Sequence, residues 1–134
     1  MGLCNLRHID DEIAKRKKVT ERYRSHLEGI EGLQLNVIQP DVKSNYAYFP
    51  VVFEEAAFGA GRAEVFDALA AHGIGARKYF YPLTNEFECY KGRFDVSKTP
   101  IAHKISNNIL TLPLYADLEM YEVDKICKII KGEC

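Results

Sequence analysis

Several features that mark particular protein classes are missing from this sequence. It contains no tryptophan and only 4 cysteines, with no C-x-x-C pair, which favours reduced thiols over a disulfide framework. No apolar run approaches the ~20 residues that cross a bilayer, and the first residues lack the apolar core of a secretory signal. The formal net charge of −1 argues against a nucleic-acid or polybasic membrane surface.

The cysteines and histidines do not indicate a metal site. We predict reduced thiols in a cytoplasmic protein for the four cysteines, which are Cys4, Cys89, Cys127 and Cys134. The 4 histidines never form an H-x-x-x-H pair, and no paired spacing typical of a zinc site occurs. No metal, nucleic acid or membrane is therefore expected as a partner.

The apolar residues of the first thirty positions recur at the spacing of a helix with one buried face. They are Leu3, Leu6, Ile9, Ile13, Val19, Tyr23, Leu27 and Ile30. We predict a single helix over residues 1–30, about 40 Å long at ~1.5 Å per residue. That length exceeds the roughly 26 Å diameter of a domain of this size, and no capping residue opens the helix. We therefore expect it to continue a larger protein, or otherwise to be a free helix with a frayed first turn.

The rest of the 134-residue chain alternates short strand and helix patterns without a linker or repeat. Strands are predicted at residues 33–37, 45–53, 76–80 and 109–112, and helices at 62–72, 100–107 and 118–130, with a helical turn at 86–90 and a loop at 91–100. Pro50 lies in the second strand and predicts an edge position or a bulge, because proline cannot donate to a sheet. This order favours an α+β fold, a small and mostly antiparallel sheet with helices packed on one face.

One segment, residues 73–83, combines cations with aromatic rings and is called the aromatic–basic stretch below. Arg77 and Lys78 precede three aromatic residues, which suits charge-assisted bonds to phosphate and contact with a ring. On a strand, Arg77 and Tyr79 share one face, while Lys78 and Phe80 share the other. The alternative is that Phe80 and one tyrosine are core residues and Arg77 lies at a sheet edge.

No catalytic centre is recognisable in the sequence. There is no G-x-S-x-G elbow, and neither Gly59-Ala60-Gly61 nor Gly73-Ile74-Gly75 completes a dinucleotide fingerprint. Adjacent carboxylates occur only in runs typical of a solvated helix surface. Asn45 and Tyr46 are weaker candidates for binding, at the start of the second strand. From these residues alone, a stand-alone α+β ligand-binding module and a dimerisation module built on helix 1–30 both remain open.

Four segments occur in a specific order and spacing. They are residues 1–16 (GL..L..ID..I.KR), 45–51 (NYAYFPV), 73–83 (GIGARKYFYPL) and 100–115 (P.A with LTLPLY). Together they resemble the C-terminal part of the DegT/DnrJ/EryC1/StrS family, the pyridoxal-phosphate-dependent nucleotide-sugar aminotransferases. This chain has Thr84 where many members have a histidine, so no contact of that histidine is carried over.

The resemblance implies a fold-type I aminotransferase, a homodimer when intact, that moves an amino group from glutamate to a nucleotide-linked keto-deoxysugar. In this family the cofactor lysine belongs to a large N-terminal domain. Residues 1–30 are then an interdomain helix and residues 31–134 the small C-terminal domain. Alone, such a domain is expected to be inactive and to bind no pyridoxal phosphate. The residues expected to face the substrate are Asn45, Tyr46, Arg77, Lys78, Tyr79 and Phe80.

Overall fold

The structure is a computed structural model that describes residues 2–90 and 92–133. Met1, Lys91 and Cys134 lie outside the described residues, as do the side chains of Leu3 and Asn5. Three predicted features therefore lie partly or wholly outside the description. They are the first residue of the predicted helix 1–30, the first residue of the predicted loop 91–100, and the fourth thiol.

A three-stranded antiparallel sheet lies at the centre of the fold. Its order is β1-β2-β3, with β1 at Leu33–Leu35, β2 at Phe49–Phe53 and β3 at Ile109–Leu112. Leu33 is opposite Phe53, and Phe49 is opposite Leu112. The predicted α+β fold with a small antiparallel sheet is confirmed.

The described part of the chain contains six helices. They are α1 (Gly2–Leu6), α2 (Ile9–Leu27), α3 (Glu55–Phe58), α4 (Arg62–Ala71), α5 (Pro100–Asn108) and α6 (Met120–Ile130). Short 3₁₀ turns cover Thr84–Glu86, Glu88–Tyr90 and Val96–Lys98. The elements β1, β3, α4, α5 and α6 lie where the periodicity predicts them, within two residues at each end.

The prediction of one helix over residues 1–30 is wrong, because the chain breaks between α1 and α2 at Arg7 and His8. Asp10, Asp11 and Glu12 occupy the first turn of α2. Carboxylates favour a helix N-terminus, where the backbone N–H groups are unpaired, so these residues stabilise a new helix start. The expected helix of about 40 Å is therefore replaced by a 19-residue helix of roughly 28 Å.

The C-terminal half of α2 belongs to the same core as the sheet. The Tyr23 ring stacks on Phe49 with centroids 4.8 Å apart, and its hydroxyl donates to the carbonyl of Pro113 at 3.0 Å. Burial raises the pKa of Tyr23 above its ordinary value. α6 packs against α2 and α4. The largest fully buried side chains are Tyr23, Phe49, Phe53, Leu27, Leu69, Leu110, Leu112, Val19, Val51, Val123 and Cys127.

The prediction that Pro50 lies at a sheet edge or bulge is wrong, because β2 is the central strand and its register is continuous. Thr111, opposite Pro50, exchanges both of its backbone hydrogen bonds with Arg77 on its other side, at 3.0 and 2.8 Å. Pro50 and Thr111 are therefore a non-hydrogen-bonded pair, and the Pro50 nitrogen faces β1. β1 ends at Leu35, which lies opposite Val51. No residue of β1 therefore lies opposite Pro50, so the N–H that proline lacks breaks no hydrogen bond of the sheet.

Two predicted strands are shorter in the structure. Segment 45–53 is a strand only from Phe49 to Phe53, because the Asn45 side chain accepts from the Ala47 N–H at 3.2 Å in a local turn and Tyr46 has a φ of 50°. Segment 76–80 is not a strand, since only Arg77 bridges to β3 before the chain leaves the sheet. The Tyr79–Phe80 and Tyr81–Pro82 peptide bonds are both cis.

The structure describes three of the four cysteines. Cys4 and Cys89 are exposed free thiols, and Cys127 is a buried one. Within residues 2–90 and 92–133, no helix has the length and apolar character needed to span a membrane. In the same ranges, no three potential metal ligands cluster.

Candidate functional site

A cavity of about 380 Å³ opens beside the aromatic–basic stretch and is called the Arg77 cleft. Its walls are Ala47 and Tyr48 before β2, Gly75 and Arg77 after α4, and residues 111–115 at the end of β3. Three segments that are distant in the sequence therefore meet at one end of the sheet.

Arg77 is held in this cleft by its backbone. Gly73, with a φ of 73°, ends α4 in the left-handed conformation that a glycine adopts without strain and turns the chain back to the sheet. Arg77 then forms its backbone bridge to Thr111, while its side chain stays exposed. The backbone bridge thus holds Arg77 at the cleft with its guanidinium exposed.

Tyr48 and Tyr79 form the aromatic edge of the site. Their ring centroids are 5.2 Å apart, and the Tyr79 hydroxyl donates to the Tyr48 hydroxyl at 3.3 Å. Donating this hydrogen bond raises the pKa of Tyr79, because the bond is lost when the phenol ionises. The Phe80 ring contacts Tyr79 with centroids 4.3 Å apart and planes tilted by 44°, and Phe80 is 73% exposed. The alternative that Phe80 is a core residue is therefore wrong.

Tyr115 closes the cleft on the side of β3. Partial desolvation, together with the nearby Glu122 carboxylate, raises the pKa of Tyr115. Its phenol therefore stays protonated at neutral pH and can donate a hydrogen bond. Neither Tyr48 nor Tyr115 is a candidate from the sequence. The one sequence feature that could have indicated Tyr48 is its place in the same aromatic run as Tyr46.

Lys78 does not line the Arg77 cleft in the described structure. Its ammonium lies 4.4 Å from the centre of the Phe66 ring on α4, a cation–π contact on the other side of the stretch. The structure therefore separates the two neighbouring cations, as alternation along an extended chain predicts.

Asn45 and Tyr46 do not line the Arg77 cleft either. The Asn45 side chain is engaged in its own turn, and Tyr46 lines a smaller cavity of about 220 Å³ beneath the segment that precedes β2. Tyr48 lines both cavities and is the link between them. Of the six sequence candidates, the structure thus places Arg77 and Tyr79 beside Tyr48, and Phe80 beside Tyr79.

The electrostatics of the Arg77 cleft favour an anionic ligand. Arg77 supplies a guanidinium, and Tyr48 and Tyr115 supply hydroxyls. None of the described residues that line the cleft is a carboxylate. A guanidinium with neighbouring hydroxyl donors suits phosphate or carboxylate oxygens.

The same lining does not fit covalent attachment of an aldehyde cofactor. None of the described residues that line the cleft is a lysine, and the neighbouring Lys78 is directed at Phe66. The cleft therefore supplies no amine for a Schiff base, and its chemistry is that of binding and orientation.

Comparison with known protein families identifies one family. The model of the DegT/DnrJ/EryC1/StrS aminotransferase family matches residues 1–131. The chain belongs to this family. The resemblance carried by the four sequence segments is thereby confirmed.

Individual members of the aminotransferase family match nearly the whole chain. The dTDP-4-amino-4,6-dideoxy-D-glucose transaminase of Escherichia coli is 36% identical over 134 residues, which is 98% of this chain and 36% of that protein. The structure of DesI in the presence of its TDP-sugar product has a TM-score of 0.89 at 25% identity, covering 98% of this chain and 33% of DesI. A sugar aminotransferase of Streptococcus pneumoniae in its PLP form has a TM-score of 0.84 at 27% identity, with 98% and 33% covered.

These matches share one further property. The chain spans about a third of the length of the relatives it matches. Membership of the aminotransferase family is thus shown for the chain, while the activity of a whole enzyme involves a much longer protein.

Proposed function

We propose that this chain forms the small C-terminal domain of a pyridoxal-phosphate-dependent aminotransferase that acts on a nucleotide-linked keto-deoxysugar with glutamate as amino donor. Its family membership and its 36% identity to a dTDP-sugar transaminase support the reaction class. The intact enzyme is proposed to be a homodimer. Residues 1–30 are proposed to connect the domains, with residues 31–134 as the small domain.

The observation that carries this proposal is the Arg77 cleft. Arg77 binds oxygens of the substrate diphosphate, and the hydroxyls of Tyr48 and Tyr115 donate to its polar groups. Tyr79 and Phe80 present ring surface beside them. These contacts orient the keto carbon for the reaction. Orientation lowers the activation free energy, because the substrate loses its entropy on binding and not in the reactive step.

The cofactor's chemistry belongs to residues outside this cleft. When bound, pyridoxal phosphate supplies the electron sink for amino transfer. We propose that this chain binds and orients the substrate and covers one side of the cofactor cleft in the intact enzyme. We propose that the other three candidates, Lys78, Asn45 and Tyr46, contact the substrate only at its margins, since none of them lines the Arg77 cleft.

The proposal is tested first at the level of the gene. The reading frame containing this chain is expected to encode the remaining two thirds of the length of its relatives, upstream of residue 1. The product of that reading frame is then assayed for amino transfer from glutamate to dTDP-linked keto-deoxysugars. A frame that encodes only this chain, or a full product without transaminase activity, contradicts the proposal.

A second measurement uses the 134-residue chain itself. On addition of pyridoxal phosphate, we expect no stable Schiff-base absorption band. Borohydride reduction followed by peptide mapping then finds no single modified lysine. Stoichiometric modification of one lysine in this chain would show that it carries its own cofactor site and would contradict its proposed role as a substrate-binding domain.

A further inference from the structure

The helix α4 contacts the aromatic–basic stretch at two positions one helical turn apart, Arg62 and Phe66. The Arg62 guanidinium lies 4.4 Å from the centre of the Tyr81 ring. The Lys78 ammonium lies 4.4 Å from the centre of the Phe66 ring. Residues four apart on a helix share one face, so both contacts lie on the same side of α4. Gly73 turns the chain back after α4, and the stretch therefore meets the helix in reverse order, Lys78 before Tyr81.

The two contacts are reciprocal, since each segment supplies one cation and one ring. Cation–π contacts of significant energy occur about once per 70–80 residues, so about two are expected in a chain of this length. Both of those within residues 2–90 and 92–133 join α4 to residues 78–81. Chance would distribute them over the molecule. Their pairing on two short segments indicates a single attachment at two points.

Both contacts attach the stretch to groups whose positions the fold sets. Arg62 is only 9% exposed, its Nη1 donates to the Ser106 carbonyl, and its Nε has no hydrogen-bond partner among the described residues. A buried cation with an unpaired donor needs a further source of negative potential, and the face of the Tyr81 ring supplies it. The Phe66 ring is partly buried against the core and offers its face to Lys78.

The two sequence neighbours of Lys78, which are Arg77 and Tyr79, belong to the other side of the stretch. Arg77 lines the Arg77 cleft. Tyr79 contacts Tyr48, which also lines it, with ring centroids 5.2 Å apart. Successive side chains of an extended chain point to opposite sides. The contact of Lys78 with Phe66 therefore directs both neighbours of Lys78 towards the cleft.

We propose that Arg62 and Phe66 are positioning residues for the Arg77 cleft. By holding Tyr81 and Lys78, they keep the Arg77 guanidinium at the cleft, and they act on the substrate only through the stretch. Two contacts share this role, so the loss of one weakens the attachment and the loss of both releases the stretch. The effect on substrate binding rests on the proposed function, whereas the attachment of the stretch does not.

The attachment is tested by NMR in the 134-residue chain. The double variant Phe66→Leu with Tyr81→Leu removes both rings and keeps apolar side chains in their place. We expect it to lose the nuclear Overhauser effect between the Tyr48 and Tyr79 rings. The ε-methylene protons of Lys78 should also lose the upfield shift that a ring face induces. Phe66→Tyr with Tyr81→Phe keeps both rings and should retain both signals.

Phe58→Leu is the matched control, because its ring packs edge to face on Phe53 and not against the stretch. It should leave both NMR signals in place even where it lowers stability. If the double variant without rings does not fold, the single variants Phe66→Leu and Tyr81→Leu are compared, and each is expected to weaken the signal between the two tyrosine rings. An unchanged signal in the double variant, or in both single variants, overturns the inference. So does an equal loss in Phe58→Leu.

A kinetic measurement separates positioning from general packing. In the enzyme that contains this domain, the double variant without rings is expected to raise KM for the nucleotide sugar about tenfold with little change in kcat. The variant that keeps both rings should leave KM unchanged. Adding Arg77→Gln to the variant without rings should raise KM little further, because the guanidinium has already left its place. Effects that multiply to about a hundredfold would show that the rings and Arg77 act independently and would overturn the inference.

Failure of the proposed function is distinguishable from failure of this inference. An enzyme without transaminase activity contradicts the proposed function, and the NMR result in the 134-residue chain still decides whether α4 holds the stretch. Conversely, a ring-to-ring signal that survives the loss of both rings on Phe66 and Tyr81 overturns the inference in an active transaminase as well.

Discussion

The guanidinium of Arg62 lies 4.4 Å from the centre of the Tyr81 ring, while its Nη1 donates to the Ser106 carbonyl at 2.6 Å. Arg62 is only 9% exposed. One buried arginine at the start of α4 therefore joins the end of α5 to the aromatic–basic stretch. The Tyr81 ring is therefore positioned by Arg62, which is distant in the sequence, and not by the residues next to Tyr81.

Replacing Arg62 is expected to destabilise the protein and to loosen this stretch. Arg62→Ala leaves the buried Ser106 carbonyl without its donor, which costs about 2 kcal/mol in the free energy of unfolding. Because the chain has no tryptophan, near-ultraviolet circular dichroism reports on its tyrosines, and we expect that signal to weaken. The exposed Arg7→Ala is the control and should change neither quantity; equal effects would contradict the role of Arg62.

The separation of Arg77 from Lys78 predicts unequal effects on substrate binding. In the enzyme that contains this domain, Arg77→Gln is expected to raise KM for the nucleotide sugar about tenfold with little change in kcat, since it removes a charge-assisted contact. Lys78→Gln removes the same charge one position away, but from the Phe66 side, and should change KM less than about threefold. Steady-state kinetics measure KM for both variants. A larger increase in KM for Lys78→Gln than for Arg77→Gln would contradict the assignment of Arg77 as the cation that binds the substrate.

The Asp124 carboxylate links α6 to α2 and predicts a pH dependence of stability. Arg22 donates to both of its oxygens at 2.7 Å, and the His26 Nε2 lies 2.8 Å from Oδ1. These bonds, those of Arg22 first, lower the pKa of Asp124 to about 2. Since the folded pKa lies below the unfolded value of ~3.9, the stabilisation is present above pH ~4 and is lost as the pH falls towards 2.

This contribution is measured by urea unfolding at a series of pH values. Solvent screening reduces it to about 1 kcal/mol at neutral pH, and Asp124→Asn should remove both that energy and the corresponding loss in acid. Asp117→Asn is the control, because the Asp117–Lys15 pair is largely exposed. Identical acid profiles for wild type and Asp124→Asn would show that the carboxylate adds nothing.

The hydrogen bond between Tyr79 and Tyr48 is expected to be visible in tyrosine titration. The pKa of Tyr79 is raised while its hydroxyl donates to Tyr48, so Tyr48→Phe, which removes the acceptor, should return the Tyr79 pKa towards ~10. Any stability from this bond is present below pH ~10 and is lost as the pH rises. NMR titration of isotope-labelled tyrosine rings measures the change. Tyr46→Phe should leave the pKa of Tyr79 unchanged. An equal change of that pKa in both variants would argue against a specific pair of Tyr79 and Tyr48.

The described thiols are expected to differ in reactivity. Burial raises the pKa of Cys127 to about 12, and the thiolate is the reactive form, whereas Cys4 and Cys89 are exposed. An alkylating reagent at neutral pH should modify Cys4 and Cys89 in the folded chain, and Cys127 only after unfolding in urea. Peptide mapping by mass spectrometry identifies the modified positions. Rapid labelling of Cys127 without denaturant would show that α6 opens locally.

Much of the fold is predictable because it follows from local pattern. The helix α4 is visible in the spacing of Val65 and Leu69 and in the glycine that ends it, and β3 is visible as a short apolar run. The break between α1 and α2 is missed because apolar periodicity continues across Arg7 and His8. Electrostatics at a new helix start, not periodicity, accounts for that break.

The candidate site is predictable only in part, for a similar reason. The composition of residues 73–83 points to Arg77 and its aromatic neighbours, since few other roles suit such a run. Tyr48 is 31 positions from Tyr79, and Tyr115 is farther still along the chain. No local pattern relates them, so neither is a candidate before the strands are paired.

The sequence by itself determined the family, the α+β composition and the stretch that carries charge and rings, because each is written in short-range spacing or in motif order. Only the tertiary structure decided that Pro50 lies in the central strand, that Lys78 is directed at Phe66, and that Arg77 shares a cleft with Tyr48. The physical reason is strand pairing. The register of β2 against β3, together with the Arg77 bridge, sets which backbone groups need partners and which side chains meet.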